Sequence, residues 1–407
     1  MEIEEALSIL EKNLSPLGGG TAGAAFEEVA LCDAFGRILF EDVFAPMNVP
    51  PFAKSAMDGY AVRAEDVAEA GKEKPVELCV MGELFAGDWK EIPCGKKSAV
   101  RVMTGSPVPQ GFDAVVMQED TDYGQEKVLV YDSVRRFENY CAEGEDIKKG
   151  SLVLPKGKRI GRVEAALLAS LGFSFVTVRV PARVSVLTTG SELVRAGEPL
   201  SPGKIYSSVG ELLCASIKAA GLAVAQNKIL IDDEGEIKAA LEAAIKESDF
   251  VITTGGVSVG KKDLLPKVLA DIGAKTLFSG VNIQPGTPTT ASALNGKVIL
   301  SLSGNPYAAM ANFDIYFYRA AAVLMGSDSF IPKIVRATLC DECGKVSKRR
   351  RFLRARLEGG SVFLPSQSHA SSVISNVLEC NAYLDVPAGK AFCKGDEVCV
   401  WSMGASL

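Results

Sequence analysis

Between Pro181 and Gly326 the chain alternates short apolar runs with amphipathic ones, and this alternation restricts the fold more than any other feature of its 407 residues. The runs "RVSVLTTG", "LAVAQNKILI", "FVITT", "AKTLFSG" and "KVILSLSG" read as strands, and helical stretches follow most of them. Ser208 with Glu211, and Asp233 with Glu236, have the three-residue spacing of a capping box. Ile237, Leu241 and Ile245 recur every four residues on one face of a helix. A strand that returns to its sheet through a helix must cross over and run parallel to the one before, with helices on both faces.

The flanks have a different texture, and so long a chain is expected to exceed one hydrophobic core. Residues 1 to 180 begin with a short helix. An extended run reaches Pro50 and Pro51, and strand-like pieces such as "AVRVM", "AVVMQ", "KVLVY" and "SLVLP" lie between Gly and Pro turns. The helix "GRVEAALLASLGF" ends at Gly172. From residue 327 to 407 short alternating strands return, which suits a small β-barrel. The expected fold is multidomain α/β: a β-rich region over 1–180 that is two discontinuous domains, a central parallel-sheet α/β domain over 181–326, and a C-terminal β-barrel over 327–407.

A net charge of −6 and a pI near 5.3 give no general attraction for nucleic acid. No apolar run is long enough to cross a bilayer, and the acidic, amphipathic start "MEIEEALSIL" is not a secretory leader, so cytoplasmic residence is expected. Ten cysteines without disulfide-like spacing read as buried thiols. Cys340 and Cys343 form the one close pair, and with His369 as the sole histidine they lack the further ligands of a zinc knuckle. Chemistry is left to carboxylates, hydroxyls, backbone amides and Mg²⁺.

Open parallel sheets bind ligands beyond the carboxyl ends of their strands. The loops there are "TTGSE" with Thr189, Gly190 and Glu192, "DD" with Asp232, "TTGGVSVGKKD" with Gly255, Gly256, Ser258, Gly260 and Asp263, and "SGNP" from Ser303 through Gly304 and Asn305 to Pro306. The third is neither a Walker loop nor a dinucleotide fingerprint. Its glycines permit a tight turn whose amides can meet an oxyanion, and Pro306 is placed to start a helix. Glu192, Asp232 and Asp263 sit at three strand ends, where Mg²⁺ between them and a phosphate would offset their repulsion; Asp263 reads equally as a helix N-cap. "PPFAKSAMDGYAVR" offers Ser55, Asp58 and Tyr60 in a turn, either structural or part of a pocket. "KVSKRRRFLRAR" places seven basic residues from Lys345 to Arg356, read as a solvated strand and turn or as an anion-binding rim.

"SAMDGYAVR" (55–63), "RVMTGSPVPQGFDAVVMQE" (101–119), "GEDIKKG" (144–150), "TTGSEL" (188–193), "TTGGVSVGKKD" (253–263) and "LSGNPYAA" (302–309), in this order, resemble the molybdopterin molybdenumtransferase family, to which the E domain of gephyrin is related. The resemblance covers nearly the whole chain. It implies a homodimer of four-domain subunits whose cleft lies between the α/β domain of one subunit and the N-terminal region of the other. It also implies Mg²⁺-dependent cleavage of adenylylated molybdopterin, with molybdate as co-substrate, AMP as product, and transient contact with the adenylyltransferase. By matching motifs, Asp58, Asp146, Glu192, Asp232 and Asp263 are the functional acids, the last three as metal ligands. Ser303 to Pro306, Arg351, Arg354 and Ser368 match binding segments.

The sequence departs from the family at Ala53 in "PPFA", at Ser207, Ser208 and Val209 in "IYSSV", and at "QPGTP". There Gln284 and Thr287 stand where the family has lysines expected to meet molybdate or phosphate. Neutral donors hydrogen-bond an oxyanion more weakly than ammonium groups do, and Lys261 and Lys262 are candidates to compensate. Two further readings follow: a paralogue with altered oxyanion preference, such as tungstate, and a non-catalytic scaffold for a pterin or a protein.

Overall fold

The computed structural model describes residues 1–17, 26–256, 264–366 and 369–404. Contacts divide the chain into two units, the first formed by Met1–Phe40, Gly157–Gly161 and Val176–Leu407, the second by Glu41–Lys156 and Arg162–Phe175.

The first unit is built on a six-stranded sheet of β1 (Arg183–Thr189), β2 (Ala223–Leu230), β3 (Phe250–Thr254), β4 (Lys275–Ser279), β5 (Thr290–Leu294) and β6 (Lys297–Leu302), in the order β2-β1-β3-β6-β5-β4. β2, β1, β3 and β6 are parallel, as the alternation requires. Their side chains divide between two cores. Val184, Val186, Phe250, Ile252, Leu300 and Leu302 face one, with Leu213 and Ile217 of helix α1 (Val209–Ala219). Leu187, Val251 and Ile299 face the other, with helices α2 (Glu234–Glu247) and α3 (Leu265–Asp271). This odd-even division is why both faces are covered.

The sheet is mixed and not wholly parallel. β5 runs antiparallel to both β6 and β4. Asn295 and Gly296, at φ of 52° and 75°, make the two-residue turn that joins β5 to β6. Both central positions need positive φ, which Asn and Gly tolerate best. "ALNGKV" was therefore a hairpin signal in the sequence, and the strand "TASAL" ahead of it is a strand the alternation does not reveal. Of the two capping boxes, Asp233 forms its cap, accepting from the Glu236 amide at 2.9 Å. Ser208 makes no side-chain cap, and Glu211 accepts from Asn227 instead.

After β6 comes one long helical segment: α4 (Pro306–Asn312), a π-helical turn (Phe313–Phe317) and α5 (Tyr318–Met325), closed by Gly326 at φ +55°. The chain then forms β7 (Ile334–Leu339), β8 (Arg350–Glu358), β9 (Ser361–Phe363), β10 (Ala382–Val386) and β11 (Glu397–Ser402). Pairing β8-β9-β7-β11-β10 returns to β8 and closes a five-stranded barrel around Leu339, Val362, Leu384, Val398 and Val400. Ile283–Gln284 adds to β8 in parallel, with Gln284 opposite Arg351, so the loop after β4 is attached to the barrel wall.

The second unit holds a five-stranded sheet in the order Ala114–Met117, Gly59–Val62, Ser98–Val102, Val76–Leu84 and Lys127–Val130. Tyr60, Val62 and Val116 face one core, Ala61, Val100 and Val115 the other. Gly59 allows the strands to close up, since a Cβ there would lie 1.9 Å from the Val116 carbonyl oxygen.

Candidate active site

In strand order, β1 is followed by β2 on one side and β3 on the other, so the chain reverses direction of travel between β1 and β3. In an open parallel arrangement that reversal opens a crevice at the carboxyl ends. Thr188 pairs with Thr254, and Thr254 with Leu302, so the loops after β1, β3 and β6 leave the sheet at one level. Gly255 has a φ of +85°, and a Cβ there would lie 2.3 Å from the Thr189 carbonyl oxygen. Only glycine lets the loop after β3 turn directly over the end of β1.

Two adjoining cavities open at this edge, and Gly255, Gly256, Ser303, Gly304 and Asn305 line both. The smaller, about 530 Å³, is acidic. Thr189, Gly190, Glu192, Asp232 and Pro306 of the expected residues line it. Asp232 Oδ2 accepts from the Ser191 amide and hydroxyl, both at 2.9 Å, which ties the loop after β2 to the loop after β1. Glu192 folds back over Gly190, where an added Cβ would come within 2.8 Å of both its carboxylate oxygens. Ser207 and Ser208 also line this cavity. Their signal was the polar pair just ahead of α1; with no capping bond made, the Ser208 hydroxyl is left for the cavity.

The larger cavity, about 1040 Å³, lies between the sheet edge and the barrel and is basic. Gln284, Thr287 and Arg351 line it as expected, with Lys345, Arg349 and, among the described residues, a single acid, Glu342. Arg351 is 6% exposed; its Nη2 donates to the Lys345 carbonyl and to Cys343 Sγ, while its Nε has no partner among the described residues. His369 also lines the wall. Burial and the neighbouring Arg354 and Arg351 hold its pKa below the ordinary value, so it stays neutral at pH 7.

The "QPGTP" loop is fixed by Asn312 from α4, fully buried, whose amide donates to the Pro285 carbonyl at 3.0 Å and the Ala308 carbonyl at 2.7 Å. Gly286 has φ +93°, and a Cβ there would fall 1.7 Å from Asn312 Nδ2. Gly286→Ala is expected to cost about 3 kcal/mol, the sum of left-handed strain and overpacking, read as a lower urea midpoint at unchanged m value.

Other expected residues lie elsewhere. Arg354 lines neither cavity: it is fully buried, stacks 3.6 Å from the Tyr307 ring centroid and donates to the Ala370 and Val373 carbonyls and Asn376. Asp58 and Asp146 belong to the second unit. Asp58 Oδ1 accepts from the Thr104 amide at 2.7 Å and hydroxyl at 2.8 Å, which lowers its pKa. Asp146 lines a separate hollow of about 480 Å³ beside Lys148 and Leu167. Ser258, Gly260, Lys261, Lys262, Asp263 and Ser368 fall outside the described residues.

Residues 1–172 match the family described as MoeA N-terminal region (domain I and II), 185–322 a probable molybdopterin binding domain, and 336–403 the MoeA C-terminal region (domain IV). Molybdopterin molybdenumtransferases of Staphylococcus epidermidis and Bacillus subtilis are each 37% identical to this chain, over 89% of it and 87% and 86% of their own lengths. The chain belongs to the molybdopterin molybdenumtransferase family. As a member it is an enzyme, a transferase of molybdenum cofactor biosynthesis. The fold agrees: a molybdopterin biosynthesis MoeA protein from Pyrococcus horikoshii superposes with a TM-score of 0.85 at 31% identity over 99% of both chains. Among the described residues no helix is long and apolar enough to cross a membrane.

Proposed function

We propose that this chain transfers molybdenum from molybdate to adenylylated molybdopterin and releases AMP in a Mg²⁺-dependent step, as a cytoplasmic homodimer. One observation carries the reading: an acidic and a basic cavity share a wall of glycines and hydroxyls at the sheet edge. A substrate with a phosphoanhydride at one end and a metal-accepting dithiolene at the other needs two such environments in reach of each other.

The acidic cavity fits Mg²⁺ by donor chemistry. Glu192 and Asp232 supply hard oxygen ligands, and Mg²⁺ characteristically takes one or two carboxylates and completes its shell with water and substrate phosphate. Among the described residues no three His, Cys, Asp or Glu side chains form a metal-holding group. The protein's share of the shell would thus be small and phosphate would supply the rest, with Asp263 a third acid in the same proposal. When bound, Mg²⁺ would neutralise phosphoanhydride charge and polarise the phosphoryl oxygen.

The chain's own groups do the positioning. Ser191 holds Asp232 in place from backbone and side chain. Gly255, Gly256 and, just ahead of α4, Gly304 let backbone come close to the phosphates without a side chain between. In the basic cavity the guanidinium of Arg351 attracts molybdate, and neutral His369 adds no competing charge. No side-chain nucleophile is needed, because an oxygen of water or molybdate attacks the adenylyl phosphorus. In the homodimer, Asp58 and Asp146 are the acids a second copy contributes.

Incubating the protein with adenylylated molybdopterin, Mg²⁺ and molybdate should release AMP and leave molybdenum on the pterin. Pterin binding without AMP release would instead assign a scaffold role. The neutral Gln284 and Thr287 in the basic cavity favour one variation, a changed oxyanion preference; tungstate competing with molybdate in the same assay tests it.

A further inference from the structure

We infer that Lys345, on the loop between β7 and β8, supplies the mobile cation that captures the oxyanion substrate and sets its affinity. The inference rests on the reading above and adds a specificity residue to it. It follows from what each group around the basic cavity has left to give.

Thr287 faces the cavity but donates its only hydroxyl proton to the Ile283 carbonyl at 2.7 Å. It therefore turns lone pairs to the cavity, which repel an oxyanion. Gln284 offers an amide without charge. Arg354 spends Nη1 and Nη2 on the segment behind the wall, and its Nε, also without a partner among the described residues, lines neither cavity. Arg351 spends Nη2 on the Lys345 carbonyl and Cys343 Sγ, and keeps a buried Nε without a partner in the same wall. That orphaned donor is a buried polar group whose desolvation cost an oxyanion would relieve.

Lys345 lines the cavity, and among the described residues it has no carboxylate partner. Its backbone is held by Arg351, and its loop is fastened to the barrel by the Cys343–Phe392 bridge and by the Ser347 carbonyl, which accepts from the Gly389 amide. The backbone of Lys345 is thus tethered beside Arg351, while its exposed side chain stays free to follow a ligand. Among the described residues Arg349 is the other unpaired cation of the rim, and Glu342 is the one acid opposing them. Lys348 sits on the same loop but outside the cavity lining, which makes it an internal control.

The test measures molybdate KM and kcat for AMP release, together with direct calorimetric binding of molybdate to the apoprotein. Lys345→Ala should raise the molybdate KM and Kd about tenfold, the value of one charge-assisted hydrogen bond, with the change falling on KM more than on kcat. Lys345→Arg should restore most of the affinity, and Lys348→Ala should match wild type. Because the cation is exposed, wild-type affinity should weaken with added salt more steeply than that of Lys345→Ala. A Lys345→Ala enzyme with wild-type KM and Kd would overturn the inference while leaving the transferase reading intact. Wild-type protein that binds molybdate but releases no AMP would overturn the transferase reading, and the calorimetric comparison would still decide the role of Lys345.

Discussion

Asp232→Asn is expected to slow AMP release at saturating substrate by about 100-fold or more and to leave the fold unchanged. The substitution isolates charge from shape. Asp232 Oδ2 accepts from both the amide and hydroxyl of Ser191, and an asparagine can present its amide oxygen at the same point. The two loops therefore stay joined, and what is lost is half of the carboxylate charge that Glu192 and Asp232 bring to the acidic cavity. A metal ligand reduced to a neutral amide also binds Mg²⁺ more weakly, so the half-saturating Mg²⁺ concentration should rise in the same variant. Single-turnover AMP release as a function of Mg²⁺, beside a thermal melt, checks both outcomes. An unchanged rate with an unchanged melt would remove Asp232 from the chemistry and assign it to loop structure alone.

The α/β unit was legible because its signal is local and repeated. The central strands β1, β3 and β6 are mostly apolar and buried, the helices keep one apolar face, and the ligand edge follows from topology once the strands are known to be parallel. That is why Thr189, Glu192, Asp232, Gly255 and Ser303, far apart in the chain, could be expected at one edge, where they are found. β5 escaped because it does not obey the alternation. It is connected by a hairpin, and its small residues "TASAL" carry little apolar signal.

The basic run shows what composition cannot resolve. Seven cations stand close together in sequence, yet a strand and its preceding loop send them to different places. Arg350 is paired with Asp385 and Glu4, Arg354 is buried against Tyr307, and Arg356 meets Glu358. Lys345, Arg349 and Arg351 are left to the cavity. Which cations are free depends on acids and carbonyls from β10, the N-terminal helix Ile3–Lys12 and the 370–376 segment, all distant in sequence. β10 itself was hidden for a related reason: "AYLDV" carries an aspartate, Asp385, that argues against a buried strand until its partner Arg350 is known.

Stability is expected to fall as pH rises from about 4 through 7, by about 4 kcal/mol from one group, Asp314. It lies in the π-helical turn between α4 and α5, 4% exposed, where its Oδ2 accepts from the Tyr383 hydroxyl of β10 at 2.6 Å and the Gly404 amide at 3.2 Å. Burial raises its pKa from 3.8 to about 7, and these two hydrogen bonds oppose the rise without cancelling it. Between those values the folded chain keeps a proton that the unfolded chain has released, so the folded state is favoured most below pH 3.8 and loses this advantage as pH passes 7. Tyr383 remains a donor throughout, because burial and the adjacent Asp314 push its own pKa well up. Asp314→Asn keeps an acceptor for both donors and cannot ionise. In urea titrations at pH 5, 6, 7 and 8 the wild type should lose stability relative to Asp314→Asn, and parallel pH profiles would show that the carboxyl titrates normally or not at all. The helix involved starts at Pro306 in the acidic cavity, and its contact with β10 joins it to the barrel that carries Arg351 and Lys345. Ionising Asp314 strengthens those two bonds but leaves a charge in a desolvated site, so it lowers the stability of the unit that carries both cavities, and AMP release measured across the same pH range should become sensitive to urea on the alkaline side first.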